Sequence, residues 1–416
     1  MEAASPEAQF PAYDQAEGVL RACRLSLPAS ASVWDSWLEK RDSEIRSRLI
    51  RGQEDSLVNF VLFGVSFTRQ PRIAPANPDP RLIQARVHDF IRAVLSARDD
   101  ERLLWLQDLI AARGYTDPES LNRYVVENIS RYLAEQQRYR RVLENAPAND
   151  PVSAQLYRDR GLSVDTNFRP NYAIERALVE LKRRGTLTSV HRVAIIGPGL
   201  DFTDKDGGFD YYPLQTLQPF AVIDSLLRLG LAKLPELHVS VLDISSQVLD
   251  HLSRRQPPYT IQLTLDRARP WNREAVNYWR HLGDRVGIKV PALPAPPQIQ
   301  HVERRAIRIR PDVWAALDPQ PLNIVLQHLD AHYDLVIATN VFVYYNALDQ
   351  VLSGLNIESM LGTGGIFLSN TPLEECPGES LHSIGNIQVR YSRGPGDDDR
   401  IEIYSNAPLR RGLAPE

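Results

Sequence analysis

The stretch HRVAIIGPGLDFTDKDGGFDYYPLQTLQPF, residues 191–220, decides how the rest of the chain is read. Val193, Ala194, Ile195 and Ile196 form an unbroken apolar run, the pattern of a strand buried on both faces. Gly197 and Gly199 follow with only Pro198 between them, so the backbone can turn tightly and approach a ligand where a Cβ would collide. A nucleotide-type fingerprint would then supply a third glycine and enter a helix directly. Here the chain runs on through Asp201, Asp204, Asp206, Gly207, Gly208 and Asp210, with Phe202, Phe209, Tyr211 and Tyr212 among them. Helical spacing resumes only near Ala221 and Val222.

Outward from this stretch, strands alternate with helices. NYAIERALVELKRRG is an amphipathic helix with a glycine stop at Gly185. HVSVLDIS reads as a second strand ending in Asp243, and SSQVLDHLSRR as a helix. YDLVIATN (333–340), ALDQVLSGLNIESML and GGIFLSN (364–370) continue the pattern as strand, helix and strand. Such alternation predicts a mainly parallel sheet covered on both faces. The end departs from it: NIQVRYS and RIEIYSN alternate with period two across RGPGDDD and read as an antiparallel hairpin. Residues 266–305, with WNREAVNYWRHLGDRVG and PALPAPPQ, read as an insertion. The third sheet strand is either YTIQLTL (259–265) or RAIRIR (305–310); the shorter connection to Tyr333 favours the second.

Residues 14 to about 147 show three- and four-residue apolar spacing, which predicts four to six helices. APANDP (146–151) then marks a loop. The expected division is a helical domain over 1–165 and an α/β domain over 166–408. In 416 residues, 43% hydrophobic and 24% charged are ordinary globular values. A net charge of −4 gives no general attraction to a nucleic-acid backbone or an anionic membrane. The run Leu57 to Phe67 is too short to span a bilayer and reads as a buried helix. Cys23 and Cys376 lie far apart in the sequence, so no disulfide framework is expected. The acidic N-terminus shows no secretory signal, which makes the cytoplasm the expected address.

Three strand ends carry candidate chemistry, because ligands of open parallel sheets lie beyond the carboxyl ends of the strands. After the first are Gly197 and Gly199. The second ends in Asp243, whose carboxylate can accept both hydroxyl hydrogens of a ribose. An Asp there is also a helix N-cap residue, a role Ser245 or Ser246 can fill instead. The third reaches Asn340, an amide donor and acceptor beside the ligand space or a turn-closing residue. DFTDKDGGFD lacks the alternate ligands and terminal Glu of a calcium loop, so no metal is expected. Its aromatic residues suit a lid.

In this order, VAIIGPG, VSVLDIS, DLVIATNVFVYY, ALDQVLSGLNIESMLGTGGIFLSN and the closing strand pair resemble the class I S-adenosylmethionine-dependent methyltransferases over roughly residues 170 to 405. YDLVIATNVFVYYNALDQVLSGLNIESMLGTGGIFLSN (333–370) is also similar to the matching region of the chemotaxis-receptor glutamate methyltransferases. The resemblance implies a Rossmann-like sheet ending in an antiparallel hairpin, and S-adenosyl-L-methionine as cofactor. It implies that Gly197, Pro198 and Gly199 line the methionine moiety and that Asp243, with Ile244, binds the ribose. Asn340 would border the methyl-transfer site, where Tyr344 and Tyr345 orient an acceptor or pack against the sheet. Ile195 and Ile196 stand where many members have an acid, which leaves Asp201 to meet the cofactor ammonium. Asp318 and Asn323 are the candidates for adenine. The sulfonium is already activated, so catalysis is chiefly alignment and no acid-base dyad is required. The acceptor, a small molecule or a protein side chain, is left open. The alternatives are an NAD-dependent oxidoreductase, disfavoured by the hairpin and ATNVFVYY, and a non-catalytic scaffold that binds an adenosyl cofactor.

Overall fold

The computed structural model describes residues 7–26, 28–73, 78–145, 161–166, 168–203, 209–254, 258–373, 380–394 and 397–407. Asp204, Asp206, Gly207, Gly208 and Cys376 lie outside them. Among the described residues five α-helices occupy the N-terminal part: Tyr13–Ala22, Trp34–Phe63, Pro80–Leu95, Glu101–Ala112 and Pro118–Asn145. The strands are β1 (Ala8–Gln9), β2 (Arg192–Ile196), β3 (His238–Asp243), β4 (Thr260–Asp266), β5 (Gly287–Val290), β6 (Val302–Ile309), β7 (Leu317–Pro321), β8 (His328–Leu329), β9 (Tyr333–Ala338), β10 (Leu361–Ser369), β11 (His382–Arg390) and β12 (Asp398–Ser405).

Seven strands form the central sheet in the order β11-β12-β10-β9-β2-β3-β7. From β10 to β7 every neighbour is parallel, while β12 runs antiparallel to both β10 and β11. The unbroken apolar run of β2 is explained by its place: it is hydrogen-bonded on both sides, and Val193 to Ile196 are buried. Chain order reverses between β2 and β9, which opens a crevice beyond their carboxyl ends.

The third parallel strand is neither of the two expected from the sequence. That position belongs to β7, LDPQP, paired with β3. Leu322 N–H donates to the Asp243 carbonyl, so even-numbered amides face β3 and the N–H groups missing at Pro319 and Pro321 fall on the free edge. The two candidates instead pair with each other: β4 and β6 run antiparallel, and β5 completes a separate three-stranded sheet. Their alternation is the reason. Ile261, Leu263 and Leu265 face Ile307 and Ile309 in the core, while Arg304 and Arg308 point away, as in a sheet with one wet face.

The 30-residue helix Trp34–Phe63 joins the two halves of the chain. Its first turns place Trp34, Leu38 and Ile45 in the core under the sheet, and its last turns place Leu57 to Phe63 in the core of the N-terminal helices. The run read as a buried helix from Leu57 to Phe67 is buried only as far as Val65, with Ser66 exposed and Phe67 half-buried, and the helix stops at Phe63 with Gly64 as its cap. Between these ends the helix lies across the carboxyl edge of the sheet. Arg41 makes a bidentate pair with buried Asp349, Asp42 accepts from Asn323 Nδ2 at 2.8 Å, Arg46 reaches the Ile244 carbonyl and Arg48 the Tyr344 carbonyl.

The cysteine expectation is overturned: Cys23 is disulfide-bonded. The helix Tyr13–Ala22, which ends just before Cys23, packs on the helix Ala347–Met360. No helix among the described residues is long and apolar enough to cross a membrane.

Candidate functional site

Gly197 and Gly199 both have left-handed backbones, with φ of 64° and 67°. Their immediate neighbours are protein atoms. A Cβ on Gly199 would stand 2.5 Å from the Val164 carbonyl oxygen, and one on Gly197 would stand 2.8 Å from Val341 Cγ2. The segment 162–166 runs alongside, with Leu200 N–H donating to the Val164 carbonyl at 2.7 Å and Thr166 N–H to the Leu200 carbonyl at 3.1 Å. The glycines are therefore required in part by the chain's own close packing.

Asp243 closes the end of β3. One of its carboxylate oxygens accepts the Ser245 N–H at 2.8 Å, and the N–H groups of Gly199 and Ile244 also favour its charge. Burial outweighs these bonds and pushes its pKa up to about 7. The carboxylate thus serves the turn into the helix Ser246–Arg254 and also stands at the cavity described below.

Asn340 has a φ of 60°, a conformation that Asn tolerates better than most residues. It is held there reciprocally: Asn340 N–H donates to Asn370 Oδ1, and Asn370 Nδ2 donates to Asn340 Oδ1, both at 2.7 Å. Tyr345 is buried, which raises its hydroxyl pKa far above the usual range, and the Arg48 guanidinium stands 5.9 Å from its ring centre.

Gly197, Gly199, Asp243, Ile244, Asn340, Tyr344 and Tyr345 all line one cavity at the β2/β9 crevice. Leu49 of the long helix, with Leu162, Ser163 and Val164, closes it, leaving a volume of about 70 Å³. That is well below the roughly 300 Å³ at which small-molecule sites begin. This cover was not legible in the sequence, because helical periodicity shows which face is apolar and not what that face meets.

Four sequence candidates lie elsewhere. Pro198 is buried beside the turn without lining the cavity. Asn323 is buried and bonded to Asp42, and Asp318 is bonded by Gln320, so neither contributes to this cavity. Asp201 turns to the other side of the loop, where its carboxylate accepts the Tyr212 hydroxyl and Gln215 Nε2, each at 2.9 Å. The expectation that it faces the cofactor ammonium is not met.

The loop after β2 also departs from a solvated lid at both described ends. Leu200, Phe202 and Leu214 sit in the core of the N-terminal helices, with Phe202 against Phe60 and Trp105. Buried Arg102 donates to the carbonyls of Asp201, Phe202 and Tyr212. Buried Asp210 accepts the N–H groups of Val65 and Ser66 and the Ser66 hydroxyl. A second, larger cavity of about 430 Å³ lies between this loop and the inserted sheet. Among the described residues no cluster of three or more His, Cys, Asp or Glu could hold a metal.

The strand order, with β12 inserted antiparallel between β10 and β11, is that of the class I S-adenosylmethionine-dependent methyltransferases, and the chain has that fold. No family model matches the chain, and no curated protein matches its sequence. Solved structures that align with it include the N-methyltransferase NodS from Bradyrhizobium japonicum, at 10% identity over 58% of this chain and 100% of that one, TM-score 0.30. The glycopeptide N-methyltransferase MtfA, complexed with S-adenosylmethionine, aligns at 12% identity over 57% and 94%, TM-score 0.28. The magnesium protoporphyrin IX methyltransferase ChlM from Synechocystis aligns at 10% identity over 65% and 89%, TM-score 0.27. At such scores the fold assignment rests on the sheet's own topology. None of these three is a chemotaxis-receptor methyltransferase, and that finer likeness stays an expectation of residues 333–370.

Proposed function

We propose that the chain transfers a methyl group from S-adenosyl-L-methionine to a small-molecule or protein side-chain acceptor. The observation that carries this reading is the convergence of Gly197, Gly199, Asp243, Ile244 and Asn340 on one cavity at the point where strand order reverses. The donor set fits the cofactor: a buried carboxylate with spare lone pairs for a diol, a glycine turn for close approach, and tyrosine rings for a sulfonium. When bound, the cofactor supplies an already activated methyl group. The chain's part is to hold the ribose at Asp243, to border the transfer site with Asn340, Tyr344 and Tyr345, and to exclude water with Leu49 and residues 162–164. Admission of a ligand of that size requires this cover to move.

The cavity of about 70 Å³ bears equally on the enzyme and on the non-catalytic scaffold, since both need room for the cofactor. Calorimetric titration with S-adenosylmethionine, S-adenosylhomocysteine and NAD separates the readings. Binding of the first two and not of NAD is expected; no binding of either by folded protein refutes the proposal. Binding without methylation in a broad acceptor screen selects the scaffold.

A further inference from the structure

Residues 161–166 belong to no helix and to no strand of the main sheet, yet they lie against the glycine turn of the Asp243 cleft. Val164 holds the ground that a ligand approaching this turn would need: its carbonyl oxygen is what a Cβ on Gly199 would meet, at 2.5 Å. The same carbonyl accepts the Leu200 N–H at 2.7 Å, so the amide that follows the turn is spent inside the chain. Leu162 and Val164 are buried and share the wall of the cavity of about 70 Å³ with Gly197, Gly199 and Asp243. The close approach that the glycines permit is thus taken by the chain's own backbone.

This strap is fastened on two sides. Toward the loop after β2, Thr166 N–H donates to the Leu200 carbonyl at 3.1 Å, and Asp165 forms a single parallel bridge with Leu200. Toward the helix Trp34–Phe63, Leu162 N–H donates to the Arg48 carbonyl at 3.1 Å. Gly52 and Gly161 let the two backbones touch, since a Cβ on Gly52 would meet the Leu162 carbonyl and one on Gly161 the Gly52 amide. The remaining fastening is polar. Ser56 and Asn59 are fully buried on the long helix, and both turn to the half-buried Asp165 carboxylate, Ser56 Oγ at 3.3 Å and Asn59 Nδ2 at 3.0 Å. Asn59 Oδ1 has no hydrogen-bond partner, so this amide is a cost to the helical core that only its bond to Asp165 offsets. A half-buried carboxylate can exchange such donors for water, which makes this contact a latch rather than a permanent tie.

We propose that residues 162–166 are a built-in competitor of the cofactor. Closed, they occupy the face of the glycine turn; open, they yield it, and the contact of Asp165 with Ser56 and Asn59 sets the balance. The inference rests on the methyl-transfer reading and names how that site is regulated. A ligand binds only the open fraction, so its apparent affinity is reduced by that fraction and rises when the latch is weakened. The geometry also fixes a sign at the amides. Opening parts Leu162 N–H from the Arg48 carbonyl and Thr166 N–H from the Leu200 carbonyl, so the bound ligand speeds hydrogen exchange in the strap.

Calorimetry and hydrogen exchange on the full chain with S-adenosylhomocysteine test it. Asp165→Ala removes the latch from the strap and Asn59→Leu removes it from the helix; neither residue lines the cleft. Each variant should bind at least about fivefold more tightly than the wild type. In the wild type the ligand should speed amide exchange in residues 161–166. Binding by the variants with none detectable in the wild type supports the same conclusion. Circular dichroism confirms that each variant is folded, and either one alone suffices for the comparison. Wild-type binding that is equalled or exceeded by no folded variant, an affinity unchanged in both, or exchange in 161–166 that slows with ligand overturns the competitor and leaves the cofactor assignment standing. No binding by the wild type or by any folded variant overturns both.

Discussion

Replacing Asp243 by Asn keeps the shape of the side chain and removes its charge, which isolates what that carboxylate does. Burial raises its pKa from 3.8 to about 7, so near neutral pH the free protein holds it partly protonated. A ribose diol donating two hydrogen bonds favours the ionised form. Binding must therefore draw on the ionised fraction, which rises about tenfold between pH 6 and pH 8 for a pKa near 7. S-adenosylhomocysteine affinity, measured by calorimetry, should strengthen by about that factor over this interval, with proton release seen as a dependence of heat on buffer. Asp243→Asn should bind about 1.5–3 kcal/mol more weakly at the upper pH and lose most of the pH dependence. A second consequence follows for the unliganded protein. The folded form binds this proton more tightly than the unfolded form, so its contribution to stability falls as pH rises from about 4 to about 7. Urea unfolding of the wild type should show that slope more strongly than Asp243→Asn does. A pH-independent affinity, or an Asn variant that binds as tightly as the wild type at the upper pH, refutes the role given to Asp243.

Arg102 and Gly52 test how the helices hold the site. Arg102→Met strips donors from the buried carbonyls of Asp201, Phe202 and Tyr212 and should cost on the order of 3 kcal/mol in urea unfolding, with faster amide exchange in residues 200–203 and 209–214. A stability within about 0.5 kcal/mol of wild type would contradict the anchoring. Gly52→Ala would put a Cβ onto the Leu162 carbonyl, a backbone group that cannot turn aside, and should cost on the order of 1–3 kcal/mol. Because Leu162 covers the Asp243 cavity, the same variant should change S-adenosylhomocysteine affinity, whereas an unchanged affinity would separate the cover from the cleft.

Much of the α/β half was legible because its signals are local. The mainly apolar runs at residues 193–196 and 333–338 read as buried strands, the period-two pattern at both ends of RGPGDDD reads as a hairpin, and Asp243 ends and Asn340 follows a strand whose carboxyl end borders the crevice. The third strand was not legible, because LDPQP looks like a breaker until its free edge is known. Asp201 was misplaced for a related reason: two residues beyond Gly199 the chain has already turned to the other side of the loop.

By itself, then, the sequence determined most of the elements of the α/β half, with the strand Leu317–Pro321 excepted, and the residues at the ends of β2, β3 and β9, since periodicity, glycine stops and strand-end polarity act over a few neighbouring residues. Only the tertiary structure decided that the helix Trp34–Phe63 lies across those ends, that residues 162–164 fill the cleft, and that Asp201 and Trp279 face a different cavity. Those outcomes depend on contacts between segments a hundred or more residues apart, such as Arg102 with Phe202 and Arg41 with Asp349, and no local pattern encodes such a meeting.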